Sequence, residues 1–272
     1  MDILYLWTAY AVLGVFAGVV AGLLGVGGGL IIVPILAVLY GMQGFAAAHV
    51  MQLAVGTSLA TIVFTSLSSM RAHHRRGAVN WPVMLQLSTG ILLGAWLGGL
   101  LAVWLGGVLL AALFGIFELL VAAQMGLGRP PAVHRRTPGR VLNAMAGVVI
   151  GVVSALLGIG GGTLTVPWLA WHNVAMRHAV GTAAACGLPI ALVGALGFVL
   201  AGYGQASLPA GSTGYVYWPA VIAISLFSVL SAPLGARLAH HLDPLRLKKL
   251  FAVFLALLGF VMILKSLLGL NQ

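Results

Sequence analysis

The chain has 272 residues, 61% hydrophobic and 6% charged, with a mean hydropathy of +1.13. Soluble domains carry about 25% charged residues, so a wholly water-facing surface is excluded and a polytopic membrane protein is implied. The net charge of +10 is assigned to basic cytoplasmic loops beside anionic lipid, not to nucleic acid. The single cysteine, Cys186, excludes an intrachain disulfide and a thiolate metal cluster.

A hydrocarbon core about 30 Å thick takes roughly 20 apolar residues per helical span. Ten apolar segments are predicted. They cover 5–24, 30–41, 46–69, 81–103 and 107–126, then 141–157, 163–173, 178–203, 216–239 and 246–269. The start, MDILYLWTAY, has an acid and no basic n-region, so no signal peptide is expected and the first run should stay in the mature protein.

The two halves repeat one another. GVFAGVVAGLLGVGGGLIIVP, from Gly14 to Pro34, recurs as GVVIGVVSALLGIGGGTLTVP, from Gly147 to Pro167, at an offset of 133 residues. Gly56-Thr57 recurs as Gly181-Thr182 at an offset of 125, and Trp81-Pro82 as Trp218-Pro219 at 137. Each glycine costs about 1 kcal/mol relative to alanine inside a helix, so the helix should break at both clusters. The segment after each cluster is short: the twelve residues Leu30 to Gly41 rise only about 18 Å as a helix. Segments one and two of each half are therefore read as a broken or re-entrant hairpin turning at the glycines. Two span counts follow: ten if the hairpin crosses, or six plus two hairpins if it returns.

Basic residues orient the chain. Arg71, Arg75 and Arg76, then Arg129, Arg135, Arg136 and Arg140, then Arg177, and finally Arg237, Arg246, Lys248 and Lys249 can all lie inside, leaving only Lys265. The connections 42–45, 104–106 and 204–215 carry no Lys, Arg, Asp or Glu and fall outside. The basic loop 71–80 then corresponds to the uncharged loop 204–215, so the halves run in opposite senses. The expected fold is an all-α membrane protein of two inverted five-segment repeats. Residues 1–127 form the first repeat, 128–140 a cytoplasmic linker and 141–272 the second repeat, with both termini outside.

The glycine turns are the leading candidate site. Helices starting at Leu30 and Thr163 would present unpaired N–H groups and a positive dipole end, and glycine lets an anion approach them closely. Gly25, Gly27, Gly28 and Gly29 form one half of this site, and Gly158, Gly160, Gly161 and Gly162 the other. Thr57, Ser58, Thr182 and Thr163 are candidate hydroxyl donors, with Thr165 a further one, although each hydroxyl could instead bond its own helix carbonyls. The runs Gly14, Gly18, Gly22 and Gly90, Gly94, Gly98 are assigned to helix packing through small residues. Glu118, the one acid deep in an apolar segment, is a proton-coupling candidate, or else pairs with a histidine, Asn143 or a basic group. His73-His74 and His240-His241 have no accompanying acid or cysteine cluster, so no metal site is expected. His49 and His178 are read as interfacial, and Cys186 as core.

GLLGVGGGLIIVP and SALLGIGGGTLTVP, each followed by a helix containing Gly-Thr, resemble the sulfite exporter TauE/SafE family of membrane permeases. The resemblance covers nearly the whole chain. It implies a bacterial inner-membrane transporter for sulfite, sulfonates, sulfoacetate or related organosulfur anions. No cofactor is expected, and a homo-oligomer stays open. The family motif falls on Gly25, Gly27, Gly28, Gly29 and Pro34, and on Gly158, Gly160, Gly161, Gly162 and Pro167. A carrier working by alternating access is expected. A passive anion channel, a membrane-embedded enzyme built on Glu118 and a cation carrier are the rival readings, and no paired acid or cysteine–histidine set supports an enzyme.

Overall fold

A computed structural model of the chain describes residues 3–24, 27–127, 138–238 and 244–267. The first half folds into α1 (Ile3–Leu24), α2 (Gly29–Met42), α3 (Val50–Arg75), α4 (Trp81–Trp104) and α5 (Gly106–Leu127). The second half gives α6 (Arg140–Leu157), α7 (Gly162–Trp171), α8 (Met176–Ala201), α9 (Trp218–Leu238) and α10 (Pro244–Leu267). A 3-10 turn at Ala47–His49 precedes α3, and a small antiparallel pair, β1 (Ser212–Thr213) and β2 (Val216–Tyr217), precedes α9.

All the predicted segments are helices. Eight of them, all but α2 and α7, are long and apolar enough to cross a membrane. The apolar runs before the glycines are of full length, and only the returning helices are short. α2 has 14 residues and α7 has 10. α7 stops where Asn173 takes a left-handed φ of 64°, a conformation that asparagine tolerates better than most residues.

Packing follows the small residues. α1 lies along α9, α4 along α6, α3 along α8 and α5 along α10, so each long helix is covered mainly by one from the other half, whereas the short α2 and α7 pack chiefly on α3 and α8 of their own halves. A Cβ added to Gly14 would approach the Ile224 carbonyl, one on Gly18 that of Ser228, and one on Gly235 that of Val19. The α4–α6 crossing repeats this set at the sequence offsets: Gly147 on Leu87, Gly151 on Ile91 and Gly98 on Val152. Gly90 and Gly94 also press on Ala144 and Val148. Helices that meet backbone to backbone gain dispersion and weak Cα–H contacts where lipid offers no hydrophobic drive. The glycine runs at four-residue spacing are therefore packing devices, as expected from their spacing.

α3 sits at the centre, against α2, α8 and α9, with an unbroken run of buried residues from Val50 to Ile62. Leu4, Leu85, Leu120, Leu230 and Phe260 are exposed, as outward positions facing hydrocarbon should be. The two short helices are not equally covered. In α2, Leu30, Ile31, Ile32, Val33 and Leu36 are fully buried, and the helix touches α10. Between α5, α6 and α7 there is instead an apolar groove of about 690 Å³, lined by Gln124, Val149, Leu164, Pro167, Trp168 and Trp171 among others. The Phe16 and Phe254 rings meet edge to face 5.5 Å apart between α1 and α10. The counterpart of Phe16 at the 133-residue offset is the smaller Val149, which lines the groove.

Candidate functional site

The two glycine turns meet. A Cβ on Gly29 would stand 2.5 Å from the Gly158 carbonyl oxygen, and one on Gly27 would stand 3.1 Å from the Gly160 Cα. Backbone can come this close only because neither chain carries a side chain there. Gly27, Gly28 and Gly158 have φ of 82°, 76° and 68°, values that glycine adopts without the steric cost other residues meet. Gly25 lies outside the described residues.

Both short helices begin without a side-chain cap: Gly28 opens α2 and Gly161 opens α7, and neither has a capping hydrogen bond from a side chain. Gly28, Gly29, Gly160, Gly161 and Gly162 are all buried. A buried helix start that lacks side-chain caps leaves its first amides to backbone, water or a ligand.

The hydroxyls divide into three groups. Ser58 belongs to the turns: its Oγ donates to the Gly158 carbonyl at 2.8 Å. Thr57 and Thr182 serve helix starts elsewhere. Thr57 Oγ1 accepts from the Tyr217 N–H at 3.1 Å and from the Tyr40 hydroxyl at 3.2 Å. Thr182 Oγ1 accepts from the Asn80 N–H at 3.0 Å. Tyr217 and Asn80 each stand immediately before a Trp-Pro pair, so the two recurrences seen in the sequence hold one another. Gly56 and Gly181 pack beside them on the Tyr215 and Ala78 carbonyls. Thr163 and Thr165 form the third group, in the first turn of α7. Thr163 Oγ1 reaches the Gly160 carbonyl at 3.4 Å, and Thr165 Oγ1 is fully buried with no hydrogen-bond partner.

Two residues absent from the sequence reading complete the surroundings of the second turn. Ser66 Oγ would lie 2.7 Å from a Cβ on Gly187, and the Gly187 N 3.5 Å from one on Gly161. Neither Ser66 nor Gly187 recurs at the 125-residue offset that relates α3 to α8, where Ala191 and Ile62 stand instead. Symmetry therefore gave no signal for them.

Glu118 is fully buried in α5 beside Gly259 of α10, and neither carboxylate oxygen has a hydrogen-bond partner. The pairing with Asn143 considered above does not occur. Asn143 donates to Gln86 Oε1 and accepts from the Trp168 indole N–H. His49 meets the Tyr215 hydroxyl at 3.4 Å, and His74 Nδ1 accepts from the Trp81 indole. Cys186 is buried in the core. Among the described residues, no group of three or more His, Cys, Asp or Glu could hold a metal ion.

Comparison with known proteins points to one family. The sulfite exporter TauE/SafE family matches residues 10–262. A probable membrane transporter protein of Haemophilus influenzae is 34% identical over 253 residues, covering 93% of this chain and 96% of its own. A probable membrane transporter protein of Methanocaldococcus jannaschii is 26% identical over 271 residues, covering 97% of each chain. Bacillus subtilis YdhB, also named a probable membrane transporter protein, is 23% identical over 253 residues, with 90% and 96% covered. No solved structure gives a significant match. Eight apolar helices, paired glycine turns and a family match across almost the whole length lead to one conclusion: the chain belongs to the sulfite exporter TauE/SafE family of membrane transporters.

Proposed function

We propose that the protein carries a small sulfur-containing anion, such as sulfite, a sulfonate or sulfoacetate, across the membrane by alternating access. The observation that carries this reading is the meeting of two buried glycine turns from opposite halves, at helix starts that have no side-chain cap. Backbone amides and dipole ends of that kind hold anions without a buried cation. Residues 1–127 and 141–272 are taken as oppositely threaded repeats joined by the cytoplasmic linker 128–140, in a bacterial inner membrane with both termini outside. The unequal cover of the short helices supports a carrier: α2 is enclosed while a groove borders α7. Two repeats exchanging these conditions would open the centre to one side and then the other. Glu118, buried and without a partner, is the proposed proton-coupling group.

The test is a thermal-shift screen of purified protein against sulfite, sulfate, sulfoacetate, taurine and simple carboxylates, followed by counterflow in proteoliposomes. At least one of the sulfur anions should stabilise the protein more than the carboxylates do, and preloaded substrate should accelerate uptake. A passive channel would show uptake without counterflow. Stabilisation by carboxylates alone would remove sulfur from the reading.

A further inference from the structure

Applying the repeat offsets to the two glycine turns shows that they are chemically unlike. The turn opening α7 has Thr163 and Thr165 in its first helical turn, with Gly187 and Ser66 facing it. The corresponding positions around the turn opening α2 are Leu30, Ile32, Ile62 and Ala191. At these four pairs one turn has hydroxyls where the other has hydrocarbon, and Ser58, the hydroxyl near the first turn, already donates to the Gly158 carbonyl. The space beside Gly29 is also taken by the Gly158 carbonyl oxygen, an acceptor that repels anions. At α7, Thr165 Oγ1 is fully buried, has no hydrogen-bond partner, and lies 3.4 Å from where a Cβ on Gly161 would sit. A buried hydroxyl without a partner calls for an explanation, and a ligand seated at the helix start it faces supplies one.

Resting on the anion-carrier reading above, we infer that the substrate seats at the start of α7, held by its first amides with Thr165 and Ser66, and that this seat accepts monovalent anions and rejects divalent ones. The charge rule follows from what surrounds the seat. Among the described residues no Lys or Arg is buried, and the one buried charged residue is the acid Glu118. The cost of taking an ion out of water grows with the square of its charge. Its attraction to fixed neutral dipoles grows only in proportion to the charge. A seat of amides and hydroxyls can therefore balance one charge and fall short for two. Hydrogen sulfite and simple sulfonates fit this rule; sulfite dianion, sulfate and doubly ionised sulfoacetate do not, so the rule narrows the range of substrates proposed above.

The test uses purified full-length protein and two probes of nearly one shape, methanesulfonate and methylphosphonate. Methanesulfonate stays monovalent across the pH range, while methylphosphonate passes from monovalent to divalent. The titratable and charged groups on the helices packed around the seat are Arg71, His73, His74 and Arg75 on α3, Arg140 on α6, Arg177, His178 and Cys186 on α8, and His172, which follows α7 and meets the Trp168 carbonyl. Methanesulfonate, whose charge is fixed, is the reference for any effect of these groups. Methanesulfonate affinity should stay flat with pH, and methylphosphonate affinity should fall about tenfold per pH unit once the dianion predominates. Equal or tighter binding of the dianion overturns the charge rule and leaves the anion carrier standing. Binding of neither probe at any pH removes the carrier reading as well. Thr165→Val should weaken methanesulfonate binding at least tenfold while thermal stability holds or rises, because an unpaired buried hydroxyl is replaced by a methyl. Thr165→Ser should restore binding. Unchanged affinity in Thr165→Val overturns the seat.

Discussion

Thr57 and Thr182 show how one hydroxyl can fix the place of a whole helix. Each accepts the backbone N–H just ahead of a Trp-Pro pair, so its loss leaves an amide unpaired. Thr57→Val and Thr182→Val should each cost about 1–3 kcal/mol in thermal unfolding, and the serine variants should recover most of it. Glu118 calls for the opposite expectation. Its carboxyl has no partner to lose, so Glu118→Gln should shift stability by less than about 1 kcal/mol. Transport by that variant should no longer respond to an imposed pH gradient. At this scale the sequence was only partly legible. The recurrence of Gly-Thr and of Trp-Pro was plain, but no spacing says that two recurrences touch. Ser66 and Gly187 were invisible because they break the repeat, and repetition was the signal being followed.

The elements were the most legible layer. Ten apolar runs became ten helices with ends displaced by a few residues, because composition alone marks which backbone must satisfy itself in lipid. The runs before the glycine clusters, α1 and α6, are both long enough to cross, while α2 and α7 after them are not, a difference already legible from the spacing of the glycines. Glycine spacing on α4 and α6 also carried its meaning openly. A Cβ on Gly94 would come within 2.1 Å of the Val148 carbonyl oxygen, backbone that cannot rotate aside. Gly94→Ala should therefore cost about 1–3 kcal/mol by forcing the helices apart, seen as a lower melting temperature in detergent. Gly41, inside α2 with nothing within 4 Å of its Cβ position, is the control. Gly41→Ala should be neutral or stabilise by about 0.5–1 kcal/mol.

At the scale of the molecule, the difference between α2 and α7 has a direct readout. Ile31 and Leu164 occupy equivalent repeat positions, yet Ile31 is fully buried and Leu164 lines the groove. On a Cys186→Ala background, Leu164→Cys should react with a membrane-permeant maleimide faster than Ile31→Cys, and substrate should narrow the difference. Equal rates would show that the two short helices exchange environments too quickly for either cover to persist. The equivalence of these positions was legible from the offsets. Their unequal burial was not, because it is set by what α5, α6 and α10 place against each short helix and not by the repeat itself.

The cross-pairing of the halves bears on how the protein is made. α1 leaves the ribosome about 200 residues before α9, the helix that covers its glycine face. Early spans must therefore wait in the bilayer with their contact stripes bare, and compaction becomes a late, post-insertional event governed by long-range pairing. A nascent chain arrested before α9 should remain protease-sensitive however well its helices have entered the lipid.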